Sequence, residues 1–359
     1  MISIIGAGPS GTYLGSLIKD KVRIYEEHKI IGKPIQCTGI LTHSIKELTP
    51  LSDEFIVNKI KRIKLISPNN NEYEFKLKNE EIIVDREKFD NYLINKAKDN
   101  GAEILTNHKL KDFQVKDKIE LDFGNKKENT EILVGADGPN SLIAKKIGLK
   151  KDFKIGHQYV VKGDYDPELF TVYFNGVKSY FCWVVPENNK LARIGIVGDS
   201  NIPKLFDEFL NKINIDKKNF IECQSGVIPV YNHKAKYCKN NVYVIGDAAG
   251  HVKATTLGGI VYGMRGAKIL AGVLNSGNGD YSKLIKKNIG KDLWLHNKAF
   301  NFLSSFGEKG FDDFVKVLRK VNLGEFNRDN PFSGLKLFMR PELIYFLSKQ
   351  FIRNGMLRN

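Results

Sequence analysis

IIGAGPSGTYL, residues 4–14, decides the reading of this chain. A short apolar run at residues 2–5 ends in Gly6, Gly8 and Gly11, spaced GxGxxG, and a helical pattern over residues 9–18 follows. Each glycine has a separate job in a strand–turn–helix that binds a dinucleotide. Gly6 permits the tight turn, Gly8 lets the backbone approach a pyrophosphate, and Gly11 lets helix and strand pack closely. The helix N-terminus then turns its free N–H groups toward the phosphates. A second strand is predicted over residues 22–26, and its last residue is Glu26, twenty positions after Gly6. A carboxylate there can accept both hydroxyls of an adenosine ribose and repels a 2′-phosphate. Strand, helix and acid in register make the motif far more specific than GxGxxG alone.

This turn does not by itself separate NAD from FAD. The string GDAAGHVKATTLGGI, residues 246–260, does. It follows the apolar run 242–245 and precedes a helical pattern, so a second strand-to-helix handover lies some 240 residues after the first. FAD is long enough to need such a second anchor. Asp247 suits a ribityl hydroxyl, and the helix amides beyond Thr256 suit the pyrophosphate or flavin. GADGPNS, residues 135–141, is a third strand-end turn, in which Asp137 is expected to fix the backbone.

Between these turns, residues 59–66 and 72–77 flank SPNNN and predict a hairpin. Residues 84–99 read as a strand end feeding a helix, with Phe89, Tyr92, Leu93 and Ala97 at helical spacing. Strands are expected near 103–106, 109–115, 117–123 and 131–134. Residues 155–198 are dense in Val, Tyr, Phe and Ile and predict several antiparallel strands; residues 202–213 predict a helix. From residue 257 onward the pattern is helical. The expected fold class is α/β, with an α+β insertion. A discontinuous Rossmann-like FAD domain takes residues 1–150 and 240–280, a mostly antiparallel substrate-binding sheet takes 55–85 and 151–239, and a helical tail takes 281–359.

The composition fits a globular chain of 359 residues, 42% hydrophobic and 27% charged, which excludes a disordered or fibrous protein. The net charge of +15 suits nucleic acid, an anionic membrane surface or an acidic substrate, and equally a lysine-rich proteome. No basic helix or aromatic–basic motif favours nucleic acid. Cys37, Cys182, Cys223 and Cys238 form no CxxC pair and no metal-ligand spacing, so no metal is expected and a reducing cytoplasm is. A buried strand at residue 2 leaves no room for a secretory leader. The most apolar stretches, 257–276 and 335–352, carry Arg265, Lys268, Lys336, Arg340, Glu342 and Lys349, which argues against a spanning helix.

GAGPSG, GADGPNS and GDAAG, in this order, resemble the FAD proteins shaped like para-hydroxybenzoate hydroxylase. Within that class EEHKIIGKPIQCTGILT (26–42), VDREKFDNYLINKAKDNGAEI (84–104) and LGGIVYGM (257–264) resemble the geranylgeranyl reductase family, including the archaeal digeranylgeranylglycerophospholipid reductases. The resemblance covers most of residues 1–275. It implies FAD held by Gly6, Gly8, Pro9, Ser10, Gly11, Glu26, Gln36, Cys37, Gly39, Arg86, Leu110, Asp247, Gly258, Gly259 and Ile260. It also implies a substrate cavity at FCWVVP (181–186), through Phe181, Trp183 and Pro186, with Tyr180 beside them. The family's Tyr-x-Trp-x-Phe-Pro string is altered here, with Phe181 for the tyrosine and Val185 for the phenylalanine.

The implied reaction is hydrogenation of isolated C=C bonds in geranylgeranyl chains of membrane lipids or their precursors. Such a bond needs a hydride, a proton and a site that excludes water. Cys37 is the first expected proton donor and His251 the second. Tyr159, Tyr165, Phe170, Tyr173, Phe174, Tyr180, Phe181 and Trp183 are expected to line an apolar tunnel or to be plain sheet core. No second GxGxxG exists, so electrons would come from NADPH docking transiently or from a ferredoxin-type donor protein. Arg340, Lys349, Arg353 and Arg358, mixed with Leu337, Phe338, Leu343, Tyr345, Phe346, Phe351 and Ile352, read either as an interfacial helix at the inner membrane face or as a helix packed on the domain. An FAD-dependent monooxygenase or halogenase of the same fold is the rival enzyme; halogenases carry Trp-x-Trp-x-Ile-Pro, which FCWVVP partly matches. A prenyl-binding escort protein that has lost its flavin is the rival that is not an enzyme.

Overall fold

The structure, a computed structural model, describes residues 1–174, 181–321, 323–324, 328–329 and 339–353. Its first layer is a six-stranded sheet in the order Cys238–Lys239, Val242–Val244, Ile132–Gly135, Ile2–Ile5, Val22–Tyr25, Glu103–Leu105. All pairings are parallel except that of the Cys238–Lys239 edge. Ile2–Ile5 sits near the centre, buried at every position. A strand covered on both faces carries no regular polar–apolar alternation, and even its one hydroxyl residue, Ser3, is buried.

The helix Pro9–Gly15 follows, with Gly8 in extended geometry before it and proline in its first turn. It packs against Ile260–Ser276, where a Cβ at Gly263 would strike Ser10 Oγ. The helix Arg86–Asp99 is capped by Asp85, whose carboxylate accepts from Lys88 N at 3.1 Å. Its Phe89, Leu93 and Ala97 are buried and Tyr92 is half-buried, matching the helical spacing.

The second layer is an eight-stranded sheet in the order Phe220–Pro229, Phe153–Lys162, Leu191–Gly198, Phe181–Pro186, Leu169–Phe174, Ile56–Ile66, Glu72–Val84, Ile40–Leu41. It is antiparallel apart from the pairing of Leu169–Phe174 with Ile56–Ile66. The expected hairpin is thereby part of the same sheet as the strands of 153–229. Side chains alternate across this sheet. On one face Val161, Cys182, Ile194 and Ile196 pack on the helix Ile202–Lys212. On the other, Ile63, Phe170 and Trp183 face inward.

This alternation divides the aromatics expected in the tunnel. Tyr159 stacks on Phe220 at 4.1 Å between centroids, Tyr173 meets Phe209 at 5.1 Å, and Tyr165 packs in the same cluster. These three are core on the outer face, while Phe170, Phe174, Phe181 and Trp183 lie on the inner one. Tyr180 lies outside the described residues.

A small third sheet joins Asp112–Val115, Ile119–Asp122 and Lys127–Thr130. Its last strand, KENT, carries no apolar alternation and is not predicted from sequence. The helix after GDAAG starts at Ile260, not at residue 257, because Leu257 takes φ +56° in a loop that must first wrap back.

The C-terminal helices Lys291–Leu303, Glu308–Leu318 and Pro341–Arg353 cover the inner face of the large sheet. Leu343 and Phe346 are buried there against Phe306, Phe311 and Phe314, whereas Ile344 and Tyr345 are exposed. Of the proposed interfacial residues, Leu337, Phe338 and Arg358 fall outside the described residues, as do the side chains of Phe351, Ile352 and Arg353.

Phe89 packs edge-on against Phe55 with its centroid 5.2 Å away and is fully buried. Phe89→Ala is expected to cost about 3–5 kcal/mol of unfolding free energy, read from the denaturant midpoint at unchanged slope.

Candidate functional site

The two large sheets and the C-terminal helices enclose a cavity of about 1320 Å³. That exceeds the roughly 300–1,000 Å³ of an ordinary small-ligand pocket, so there is room for a long cofactor and a second molecule. The three strand-end turns meet at one end of it. Gly6 adopts φ +104°, and a Cβ there would overlap the carbonyl of Ala136. A Cβ on Gly11 would overlap the carbonyl of Gly6. Gly8 meets nothing within 4 Å of its missing side chain and lines the cavity, so it keeps the cradle open. Gly11 does not line the cavity and serves the packing of helix on strand.

Glu26 is buried at the rim. Its Oε2 accepts from Ala7 N at 2.9 Å, and its Oε1 accepts from His28 N at 3.0 Å with His28 Nδ1 at 2.7 Å. These bonds fix the carboxylate while its remaining lone pairs are left for a ligand. Asp247 also lines the cavity, and burial raises its pKa against the opposing pull of Lys151 and Arg86. The Lys151 ammonium donates to the carbonyls of Asp247 at 3.1 Å and Ala248 at 2.7 Å, and burial lowers its pKa to about 8. A Cβ on Gly259 would lie 2.7 Å from Asp247 Oδ1. The two ends of the GDAAG…GGI string are thus folded onto each other, which answers why both carry glycine.

Pro9, Ser10, Gln36, Cys37, Gly39, Arg86, Leu110, Gly258 and Ile260 line the same cavity. Gly39 donates its N–H to Cys37 Sγ at 3.3 Å. Arg86 binds Asp90 through Nε at 3.1 Å and Nη2 at 3.0 Å and reaches the Cys37 thiol. Burial opposes the Arg86 charge, yet Asp90 and Cys37 more than offset it and its pKa is raised. Trp183 and Phe181 face the cavity, with Trp183 Nε1 donating to Gln158 Oε1 at 3.2 Å. Asp137 accepts from Ser141 Oγ at 2.6 Å and so steadies its turn.

Besides Gly11, the structure corrects two residues. His251 is fully buried, does not line the cavity, and packs on Tyr237 at 5.3 Å. Burial pushes its pKa down to about 3, so the ring is neutral at pH 7 and offers no imidazolium as an acid. Pro186 is buried at the far end of its strand, where its carbonyl accepts from Asn58 Nδ2 at 2.8 Å, and it does not line the cavity.

Several polar residues in the cavity wall or directly behind it escape a reading by motif. Gln158 accepts from Thr38 Oγ1 at 2.8 Å and donates to Gln224 Oε1 at 2.5 Å. Arg193, 5% exposed, donates to Glu187 Oε1 at 2.6 Å and to the Thr38 carbonyl at 2.6 Å, which steadies the loop bearing Cys37. Lys253 pairs with Asp329, which also accepts from Thr42. Burial disfavours the Asp329 charge, but Lys253 and Thr42 outweigh it and hold the pKa below the carboxylate range. A signal was available for Arg193, the lone polar residue of the apolar strand LARIGIVG; Gln158 stands beside His157 in a mixed strand and gives none.

These residues fit FAD. A phosphate can reach the backbone beside Gly8, Glu26 is poised for the ribose, and no protein donor holds the side chain of Asp247 among the described residues. Among the described residues no group of His, Cys, Asp and Glu could hold a metal.

No protein-family model matches the chain. It is 28% identical to digeranylgeranylglycerophospholipid reductase 2 of Methanothermobacter thermautotrophicus, over 90% of this chain and 91% of that one. A geranylgeranyl bacteriochlorophyll reductase-like protein of Thermoplasma acidophilum superposes with a TM-score of 0.86 at 21% identity, covering 97% of this chain and 98% of that one. The halogenase PltM, solved with FAD, superposes with a TM-score of 0.67 at 15% identity, covering 97% and 85%. The fold is that of the FAD-binding flavoproteins, as the motifs predict.

Two outcomes are expected. Glu26→Ala and Asp247→Ala each lower the flavin retained per polypeptide, measured by absorbance after desalting. The folded pKa values of His251, about 3, and His296, about 4, lie below the ordinary 6.5, both chiefly through burial. The unfolded chain therefore takes up these protons first, and stability is full above pH 6.5 and lost on acidification. His251→Asn should make the fall in unfolding free energy between about pH 6 and 5 shallower by about 1.4 kcal/mol per pH unit.

Proposed function

We propose a substrate for what is, by family, a geranylgeranyl reductase flavoprotein and, by class, an FAD-dependent oxidoreductase acting on carbon–carbon double bonds. That substrate is an isoprenoid lipid or lipid precursor whose isolated double bonds are hydrogenated. The observation that carries this reading is the lane leading from the Cys37 loop and Trp183. Its floor is Ile63, Leu65, Phe75, Phe170, Val172, Phe174 and Phe181 of the large sheet; its roof is Leu295, Leu303, Phe314, Leu318 and Leu343 of the C-terminal helices. An unactivated alkene offers nothing to hydrogen-bond, so a site for it selects by shape and dryness. A lane of this kind holds a flexible polyprenyl chain by apolar contact along its length.

Gly6, Gly8, Pro9, Ser10, Glu26, Arg86, Leu110, Asp247, Gly258, Gly259 and Ile260 would hold FAD, which when reduced supplies hydride. Gln36, Cys37 and Gly39 would border it. The chain itself then has two tasks, to position the alkene and to deliver one proton. Trp183, fixed through Gln158, and Phe181 press on the substrate side. Cys37 gives its thiol proton to the second alkene carbon, held in place by the Gly39 amide, Arg86 and the loop that Arg193 braces. Electrons reach the site from NADPH or from a ferredoxin-type donor.

A lipid substrate must be taken from a membrane surface. No described helix is long and apolar enough to cross one. The helix that gives Leu343 to the lane exposes Ile344 and Tyr345, with Met339 just before it, beside Arg340 and Lys349. This arrangement supports a peripheral contact with an anionic inner leaflet. The halogenase reading shares the fold alone.

Incubation of dithionite-reduced protein with a geranylgeranyl lipid should add two hydrogens in mass per double bond. Incorporation of oxygen or halogen instead, or a colourless protein, would overturn the assignment. Cys37→Ala should keep the flavin and slow reduction by about 10²-fold or more, the scale of a general acid; full activity would make Cys37 a packing residue.

A further inference from the structure

One wall of the cavity, beside the Cys37 loop, is built from uncharged amides whose directions are fixed. Gln158 and Gln224 face each other in the ladder between Phe153–Lys162 and Phe220–Pro229. Both line the cavity, although they are only 3% and 4% exposed. An indole N–H can only donate. Trp183 Nε1 bonds Gln158 at 3.2 Å, so the atom it meets is the amide oxygen, and Thr38 Oγ1 donates to that same oxygen at 2.8 Å. Gln158 therefore turns its Nε2 to Gln224, whose Oε1 accepts at 2.5 Å. Both amide oxygens are spent inside the wall. Gln224 is left with the two N–H donors of its Nε2, and no protein acceptor is seen for them among the described residues.

Donors buried without an acceptor are costly, so an amide held in this state marks a place for a ligand oxygen. The chain sets where that place is. Thr38, bonded to Gln158, directly follows Cys37. Gln36 directly precedes it and lies over Gly226, where a Cβ would come within 3.1 Å of Gln36 Cβ. Gly226 is two residues from Gln224 and so shares its side of the strand. Both neighbours of Cys37 thus rest on the strands that carry the two amides. Gly195 makes room for the arrangement, since a Cβ there would lie 2.4 Å from the Trp183 ring and 2.6 Å from Gln158 Cβ. None of Gln36, Thr38, Gln158, Trp183 and Gln224 carries a charge, so the amide suits a neutral oxygen and not an anion.

We infer that Gln224 is a specificity-determining residue, which donates to the neutral oxygen on the first carbon of an isoprenoid when the double bond nearest that oxygen lies at Cys37. The inference rests on the reductase reading for the chain and for Cys37, and adds which of the double bonds can be reduced. The remote double bonds are flanked by hydrocarbon alone and reach Cys37 by sliding along a dry lane. The first one sits beside the oxygen-bearing carbon, so that oxygen must leave water to bring it there. Gln224 offsets the loss with a donor already in place. Gln158 is a positioning residue, which aims the Gln224 amide and ties it to Trp183 and Thr38.

The test uses the FAD-loaded protein, reduced with dithionite, and geranylgeraniol, with the loss of each vinylic proton signal followed by NMR. The parent protein should reduce the first double bond as well as the remote ones. Gln224→Met should slow the first bond about tenfold or more, the scale of a lost hydrogen bond with its desolvation, and leave the remote bonds within about twofold. Gln224→Glu at alkaline pH keeps an oxygen for Gln158 but removes both donors, and it should give the same pattern should the methionine variant not fold. Flavin retained per polypeptide should stay at the parent level in both. Equal slowing of every bond, no slowing of the first, a parent that spares the first bond, or loss of flavin in the variants would each overturn the assignment. A parent that reduces no bond at all puts the reductase reading at fault, and binding then decides the role of Gln224. The parent should bind geranylgeraniol about fivefold tighter than the same hydrocarbon without its hydroxyl, a margin of one neutral hydrogen bond that Gln224→Met should erase. A margin that survives in the variant, or is missing in the parent, would overturn it.

Discussion

The backbone at the end of Ile2–Ile5 runs so close to the turn after Ile132–Gly135 that neither Gly6 nor Gly11 can carry a side chain. Everything at the cofactor end of the cavity follows from that approach. Parallel pairing sends all these strands toward one edge, where their turns gather. The third turn, at Gly246 and Asp247, joins them because Val242–Val244 pairs with Ile132–Gly135 and because Ser10 fits where Gly246 and Gly263 have no Cβ. A methyl group at any of these positions would push the helices Pro9–Gly15 and Ile260–Ser276 apart and open the cradle.

The eight-stranded sheet uses its two faces for different purposes. The outer face is closed by the helix Ile202–Lys212 and is ordinary core. The inner face is roofed by the C-terminal helices, which meet it chiefly around Phe75 and Phe174 and elsewhere stand off from it. The space left between is the lane. Gly195 belongs to the same design, since a Cβ there would strike the Trp183 ring that faces the cofactor end.

Buried charge is placed where loops must stay still. Arg193 with Glu187 braces the Cys37 loop, and Lys253 with Asp329 ties the loop before Gly258 to the C-terminal region. Such pairs give little net stability, because desolvation offsets their attraction, but losing one partner leaves an uncompensated charge. They are best understood as positional constraints on a site whose lane is walled mainly by apolar side chains. Thr42 and Tyr262 reinforce the second pair by bonding Asp329 through its side chain and its carbonyl.

The parallel sheet, the three turns, the capped helix at Arg86 and the hairpin at 56–84 were legible from residues close together in sequence, because glycine spacing, apolar runs and caps are local. So was Glu26, whose distance from Gly6 is set by one strand–helix–strand unit. The fate of the aromatics was not legible. Whether Tyr173 or Phe174 faces the lane depends on which side of the sheet the helix Ile202–Lys212 closes, and period-two alternation alone does not choose. His251 looked reactive beside GDAAG, yet packing against Tyr237 and Gly266 removed it from the cavity and from protonation. Gln158, Arg193 and Lys253 gained their roles only through partners 76–155 residues away or on other strands. The sequence by itself determined a dinucleotide cradle and the acids that face it. The tertiary structure decided the shape of the space beyond, because a cavity is bounded by residues that share no local pattern and meet only when the sheets and the terminal helices close.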